Sequence, residues 1–201
     1  MDCDSIITIF GGSTAYGKGD DVMGGWANRL RMAFEDEGMK VRVYNLGIMN
    51  ETTEDTLERF HNEMRARYDA SKNNIVVFSL GLNDSISYGS VDKVPLNLFT
   101  KNIQELIQHA KNYTPKIAFI GLHRVDEGRT TPVFWDRHAH YYNDKITQFD
   151  DYLKNICDET GTQYIEVASI LNPIDLCDGL HPNADGHKKI VERIKTQRRY
   201  G

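Results

Sequence analysis

Short strand-like runs alternate with amphipathic stretches from one end of the chain to the other. The runs are Ile6 to Phe10, Val41 to Leu46, Ile75 to Leu80, Lys116 to Gly121 and Gln163 to Val167. Between them, apolar residues recur at helical spacing: Trp26, Leu30 and Phe34; Leu57, Phe60 and Met64; Phe99, Ile103, Leu106 and Ala110; Ile146, Phe149, Leu153 and Ile156. Ile190, Val191 and Ile194 mark a last helix. Gly38 and Gly161 stand where helices stop, and Thr52 or Thr53 stands where one starts. Repeated β-α units with apolar strands predict an α/β fold whose parallel sheet is covered on both faces. At 201 residues one domain, residues 1–201, is expected to bury a real core.

Charge narrows the function. A formal net charge of −5, with acids and bases mixed along the chain, argues against a nucleic-acid partner and against a basic membrane patch. The basic last helix (Lys188, Lys189, Arg193, Lys195, Arg198, Arg199) reads as a solvated face suited to a helix C-terminus. Cys3, Cys157 and Cys177 are scattered and odd in number, which suggests reduced thiols rather than a disulfide framework or zinc site. No signal-like start and no apolar run of membrane-spanning length is present. A cytoplasmic protein is expected; the oligomeric state is not readable.

In such a sheet ligands bind beyond the carboxyl ends of the strands. The loops from Gly11, Gly47, Gly81, Leu122 and Ala168 should therefore converge. The first, Phe10-Gly-Gly-Ser-Thr-Ala-Tyr-Gly-Lys-Gly-Asp20, has two readings. Gly12 to Lys18 fits the start of a phosphate loop, but Gly19 stands where a magnesium-binding hydroxyl is needed, and Asp20 and Asp21 would repel a phosphate. The other reading makes the turn a mount for Ser13. A serine nucleophile needs a base, an orienting acid and oxyanion donors. Asp178-Gly-Leu-His181 supplies a carboxylate and an imidazole in one loop, Asn83 an amide after a strand, and Gly47 a backbone N–H open to close approach.

Four blocks in this order, FGGSTAYG, NLGIMNETTEDTLER, SLGLNDS and DGLHPNADGH, resemble the SGNH hydrolase family, also called GDSL-type esterases. The resemblance implies a flavodoxin-like three-layer α/β/α sandwich with a five-stranded parallel sheet. It implies ester hydrolysis without metal or organic cofactor, acting on a small-molecule ester. It also implies Ser13 as nucleophile, His181 as base, Asp178 as its acid, and an oxyanion hole from Ser13, Gly47 and Asn83. Two positions depart from the family pattern. Gly12 replaces the usual aspartate before the nucleophile, and Asn50 stands where a second glycine is common. A non-catalytic ligand-binding protein on the same fold is the alternative, with Gly12 as its symptom.

The long stretch from Leu122 onward is expected to wall the site. Trp135 and Tyr141 are candidate substrate-binding residues, and the charged character of the stretch suggests short acyl groups, such as acetyl, on a polar alcohol or carbohydrate. His123, His138 and His140 lack carboxylates at ligand spacing, so no metal site is expected.

Overall fold

A computed structural model describes residues 3–197; Arg198 and Arg199 of the basic stretch lie outside the described residues. In chain order the elements are β1 Ser5–Gly11, α1 Ser13–Tyr16, α2 Gly25–Asp36, β2 Val41–Gly47, α3 Thr53–Arg67 and β3 Asn73–Ser79. There follow β4 Ser87–Tyr88, β5 Val91–Asp92, α4 Leu96–Lys111, β6 Ile117–Ile120 and α5 Glu127–Thr130. The chain continues through β7 Ala139–His140, α6 Asn143–Thr160, β8 Gln163–Ile165, a 3-10 turn Pro173–Asp175, and α7 Ala184–Thr196.

The main sheet has five strands in the order β2-β1-β3-β6-β8, all parallel. Successive side chains on a strand face opposite ways, and the core divides accordingly. Phe10, Val76, Phe78, Ile117 and Phe119 meet Phe60 of α3, Phe99 of α4 and Phe149 of α6 on one face. Ile7, Ile9, Val77, Ala118 and Ile120 meet Trp26 and Phe34 of α2 and Ile190 of α7 on the other. Phe10, Phe60, Phe78 and Phe119 form a continuous aromatic stack, with neighbouring centroids 4.8–5.9 Å apart. Burying each such ring stabilises the fold by about 1.5–3 kcal/mol.

Register sets the site. Gly11 at the end of β1 pairs level with Gly47 of β2 and Ser79 of β3. The chain leaves β1 through α2 on one face and leaves β2 through α3 on the other, so a crevice opens between β1 and β3, the switch point of this strand order. Thr52, rather than Thr53, caps α3: its Oγ1 accepts from Asp55 N–H and Asp55 Oδ2 accepts from Thr52 N–H. The stretch from Leu122 is less irregular than its sequence suggests. It holds the short helix α5, capped by Asp126, and β7, which joins β4 and β5 in a small antiparallel sheet. Among the described residues no helix is long and apolar enough to cross a membrane, and Cys3, Cys157 and Cys177 are free thiols.

Candidate active site

Ser13 opens the single helical turn α1, after Gly12 in extended conformation. The turn rests on Asn45, whose Nδ2 donates to Ala15 O at 2.8 Å while its Oδ1 accepts from Gly47 N–H at 3.0 Å. Gly47 N–H, expected as an oxyanion donor, is thus bonded to the Asn45 side chain. The lack of a side chain at Gly47 lets the strand end pack close to α1, since a Cβ there would lie 2.2 Å from Tyr16 N. Downstream, the buried His187 of α7 accepts Trp26 N–H on Nδ1 and donates from Nε2 to Lys18 O, both at 3.1 Å. Burial lowers the His187 pKa, consistent with the neutral ring those two bonds require. Asp20 tightens the same loop, bound by Arg29 and by the N–H groups of Met23 and Gly25. The aspartate that spoke against a phosphate cradle is thus a brace for the entry to α2.

Asp178 and His181 share a tight turn. Asp178 Oδ1 accepts from the backbone N–H groups of Leu180 and His181, at 3.0 and 2.8 Å. Asp178 Oδ2 lies 2.7 Å from His181 Nδ1, and His181 Nε2 lies 3.0 Å from Ser13 Oγ. Burial alone would raise the Asp178 pKa, but the bonds from the His181 ring and backbone hold it well below the usual carboxylate range. An ionised Asp178 fixes the proton of neutral His181 on Nδ1, so Nε2 presents a lone pair to Ser13. The turn is braced by the α5 segment: Asp126 N–H donates to Gly179 O, and Arg129 Nη2 to Cys177 O at 2.7 Å.

Asn83 lies buried beside Ser13 on the loop after β3. Its Nδ2 donates to Glu51 O at 2.9 Å, and its Oδ1 accepts from Tyr141 O–H at 2.9 Å. Glu51 is held in turn by Arg59, which also donates to Leu46 O. Asn50 keeps the turn that a glycine would make, at φ 62°, a region Asn enters more readily than most residues. Thus the turn that follows Gly47 reaches Asn83 through Glu51 O.

Trp135 and Tyr141 separate. The Trp135 ring is half-exposed and stacks on the His181 ring, with centroids 5.8 Å apart; the exposed Phe134 packs edge-on against it. Tyr141, the other expected substrate contact, is only 2% exposed, and its phenol meets Asn83. His123 is also buried, and its Nε2 has no partner among the described residues. It faces a cavity of about 20 Å³, lined by Ser13, Asn83, Leu80 and Leu122 among others. No group of three or more metal-ligating side chains occurs among the described residues.

Sequence reasoning missed Asn45, His187 and the role of Tyr141. Each braces the site or its supporting loop across a long separation, 30 residues from Asn45 to Ala15, 169 from His187 to Lys18 and 58 from Tyr141 to Asn83, and no local motif encodes that. The sequence matches the GDSL-like lipase/acylhydrolase family over residues 9–189. No curated protein matches it. Among solved structures, an acetylxylan esterase from Geobacillus stearothermophilus superposes with a TM-score of 0.75 at 17% identity, covering 98% of this chain and 94% of the other. A variant of that enzyme, described as an acetyl-xylooligosaccharide esterase, gives 0.77 at 17% identity over 100% and 97%. An alpha/beta hydrolase enzyme from the metagenome of Lake Arreo, Spain, gives 0.75 at 17% over 98% and 95%.

Proposed function

The chain belongs to the GDSL-like lipase/acylhydrolase family and is a carboxylic ester hydrolase of that kind, and from this premise we propose that it cleaves short-chain acyl esters through an acyl-enzyme on Ser13. The observation that carries the mechanism is the continuous line from Asp178 Oδ2 through His181 to Ser13 Oγ, at 2.7 and 3.0 Å. Ser13 Oγ attacks the ester carbonyl carbon as its proton passes to His181 Nε2. Asp178 stabilises the imidazolium so formed. The carbonyl π electrons move onto oxygen, and the oxyanion is met by Asn83 Nδ2–H and by Ser13 N–H at the start of α1, with Gly47 N–H, bonded to Asn45 Oδ1 in the free protein, as the expected third donor. The C–O bond to the alcohol breaks, and the alcohol leaves with the proton from Nε2. Water, deprotonated by His181, repeats the sequence on the acyl-serine and releases the acid.

The substrate is an acetyl-type ester of a polar alcohol, a carbohydrate being the best fit. The cavity beside Ser13 has room for about one small group. Outside it, Trp135 and Phe134 offer the exposed aromatic surface on which the apolar face of a sugar ring would pack. The acetylated carbohydrates named for the structural neighbours agree with this reading.

Two measurements test it. A fluorophosphonate probe should label Ser13, and Ser13→Ala should abolish labelling and lower kcat on the order of 10⁴-fold or more with circular dichroism unchanged. Near wild-type turnover in that variant would rule out the acyl-enzyme. Across p-nitrophenyl esters from acetate to palmitate, below their micellar limits, kcat/KM should peak at two to four carbons, as roughly 0.8 kcal/mol per methylene is gained only on reaching apolar surface. A maximum at ten carbons or longer would show a hydrophobic acyl groove and defeat the short-chain assignment.

A further inference from the structure

The amide of Asn83 has two ends, and the chemistry needs one of them. An oxyanion donor must present an Nδ2–H to the reacting oxygen, so the amide must not flip and must not rotate away. Glu51 O, which can only accept, takes one Nδ2–H at 2.9 Å. The Tyr141 hydroxyl donates to Oδ1 at 2.9 Å. Flipping the amide would set Oδ1 against the Glu51 carbonyl, two acceptors with no proton between them. With both contacts made, the second Nδ2–H is the one donor on the amide without a partner among the described residues.

We infer that Tyr141 is a positioning residue for the reaction: its hydroxyl clamps Oδ1 of Asn83 so that the remaining Nδ2–H faces the oxyanion. The inference rests on the reading of Asn83 as an oxyanion donor. The phenol is well suited to the task. Its ring is buried in the core formed with α4 and α6, and its backbone N–H donates to Thr130 O at 3.1 Å. Burial pushes its pKa up, so the hydroxyl keeps its proton. A donor on Oδ1 also polarises the amide and strengthens its N–H groups toward a developing negative charge. The stretch from Leu122 to Tyr142 therefore does more than wall the site. Its first part braces the Asp178 turn, and its last part sets the oxyanion donor.

Tyr141→Phe removes one oxygen and keeps the ring. It should lower kcat about tenfold, the scale of one hydrogen bond that matters in the transition state, with KM changed less than about twofold. The decisive comparison is the same substitution in an Asn83→Ala background, where it should lower kcat no further. Equal losses in both backgrounds, or no loss in the wild-type background, would overturn the inference. If instead Asn83→Ala leaves kcat unchanged, the oxyanion reading itself fails, which is a separate result. The contact can also be read without a variant, as a slowly exchanging Tyr141 hydroxyl proton with a nuclear Overhauser effect to the Asn83 side-chain amide. Absence of that signal would likewise overturn it.

Discussion

At the scale of single residues, the site depends on how closely Asn83 approaches the backbone before Ser13. A Cβ on Gly12 would lie 2.8 Å from Asn83 Nδ2. In this chain glycine is therefore the residue that lets the amide lean over the nucleophile loop, and the family's usual aspartate would push it off. Gly12 has a negative φ of −81°, so a side chain there meets no backbone strain, and any loss must come from the contact. Both Gly12→Asp and Gly12→Ala should lower kcat by about 10- to 100-fold, because a donor displaced by a fraction of an ångström stabilises the oxyanion poorly. A Gly12→Asp variant with raised kcat would show that Asn83 has room to spare. The residues read most easily from sequence are those whose chemistry is fixed by short spacing: Ser13 after its strand, Asp178 and His181 three apart. At Gly47 a glycine after a strand signals close approach without saying to what; one such neighbour is Tyr16 N.

Between elements, the loop bearing Asn83 is tied to α3 by a buried polar chain. Asp84 Oδ1 accepts from both the N–H and the hydroxyl of Thr53, the first residue of α3. Asn102 of α4 donates to the same hydroxyl oxygen at 2.9 Å. One side chain thus joins two helices and a site loop. Thr53→Val keeps the shape but leaves the Asp84 and Asn102 groups short of a partner, at a cost of about 2 kcal/mol. Chemical unfolding of the two proteins would read this directly, and a difference under about 0.5 kcal/mol would mean water replaces the hydroxyl. The five strands of the main sheet and their helices were legible because apolar runs and 3.6-residue spacing recur in order along the chain. The two-residue strands β4, β5 and β7 are too short to carry a period. The single turn α5 is made by its cap and by its contacts with the Asp178 loop, neither of which has a repeating pattern.

For the whole molecule, buried ionisable groups around the site make its stability depend on pH in two opposed ways. Burial raises the Asp84 pKa from 3.8 to about 6. The folded state then holds that proton more tightly than the unfolded chain, so acidification from pH 7 to 5 adds stability. Burial lowers the His123 pKa from 6.5 to about 4. There the unfolded chain holds the proton more tightly, so the same acidification removes stability as pH falls below 6.5. His187, lowered by burial as well, acts in the same direction as His123. Linkage over this interval gives about 1 kcal/mol gained through Asp84 and about 2 kcal/mol lost through His123. Each contribution is isolated by comparing a variant with the wild type at both pH values, since costs of substitution that do not depend on pH cancel in the difference. From pH 7 to 5, Asp84→Asn should lose about 1 kcal/mol relative to the wild type, because it lacks the group that gains a proton. His123→Asn should gain about 2 kcal/mol relative to the wild type, because it lacks the group that resists one. Urea unfolding at the two pH values measures both displacements. Parallel behaviour of all three proteins would mean that these side chains are solvated in the folded state, and that the polar floor of the site is wet rather than sealed.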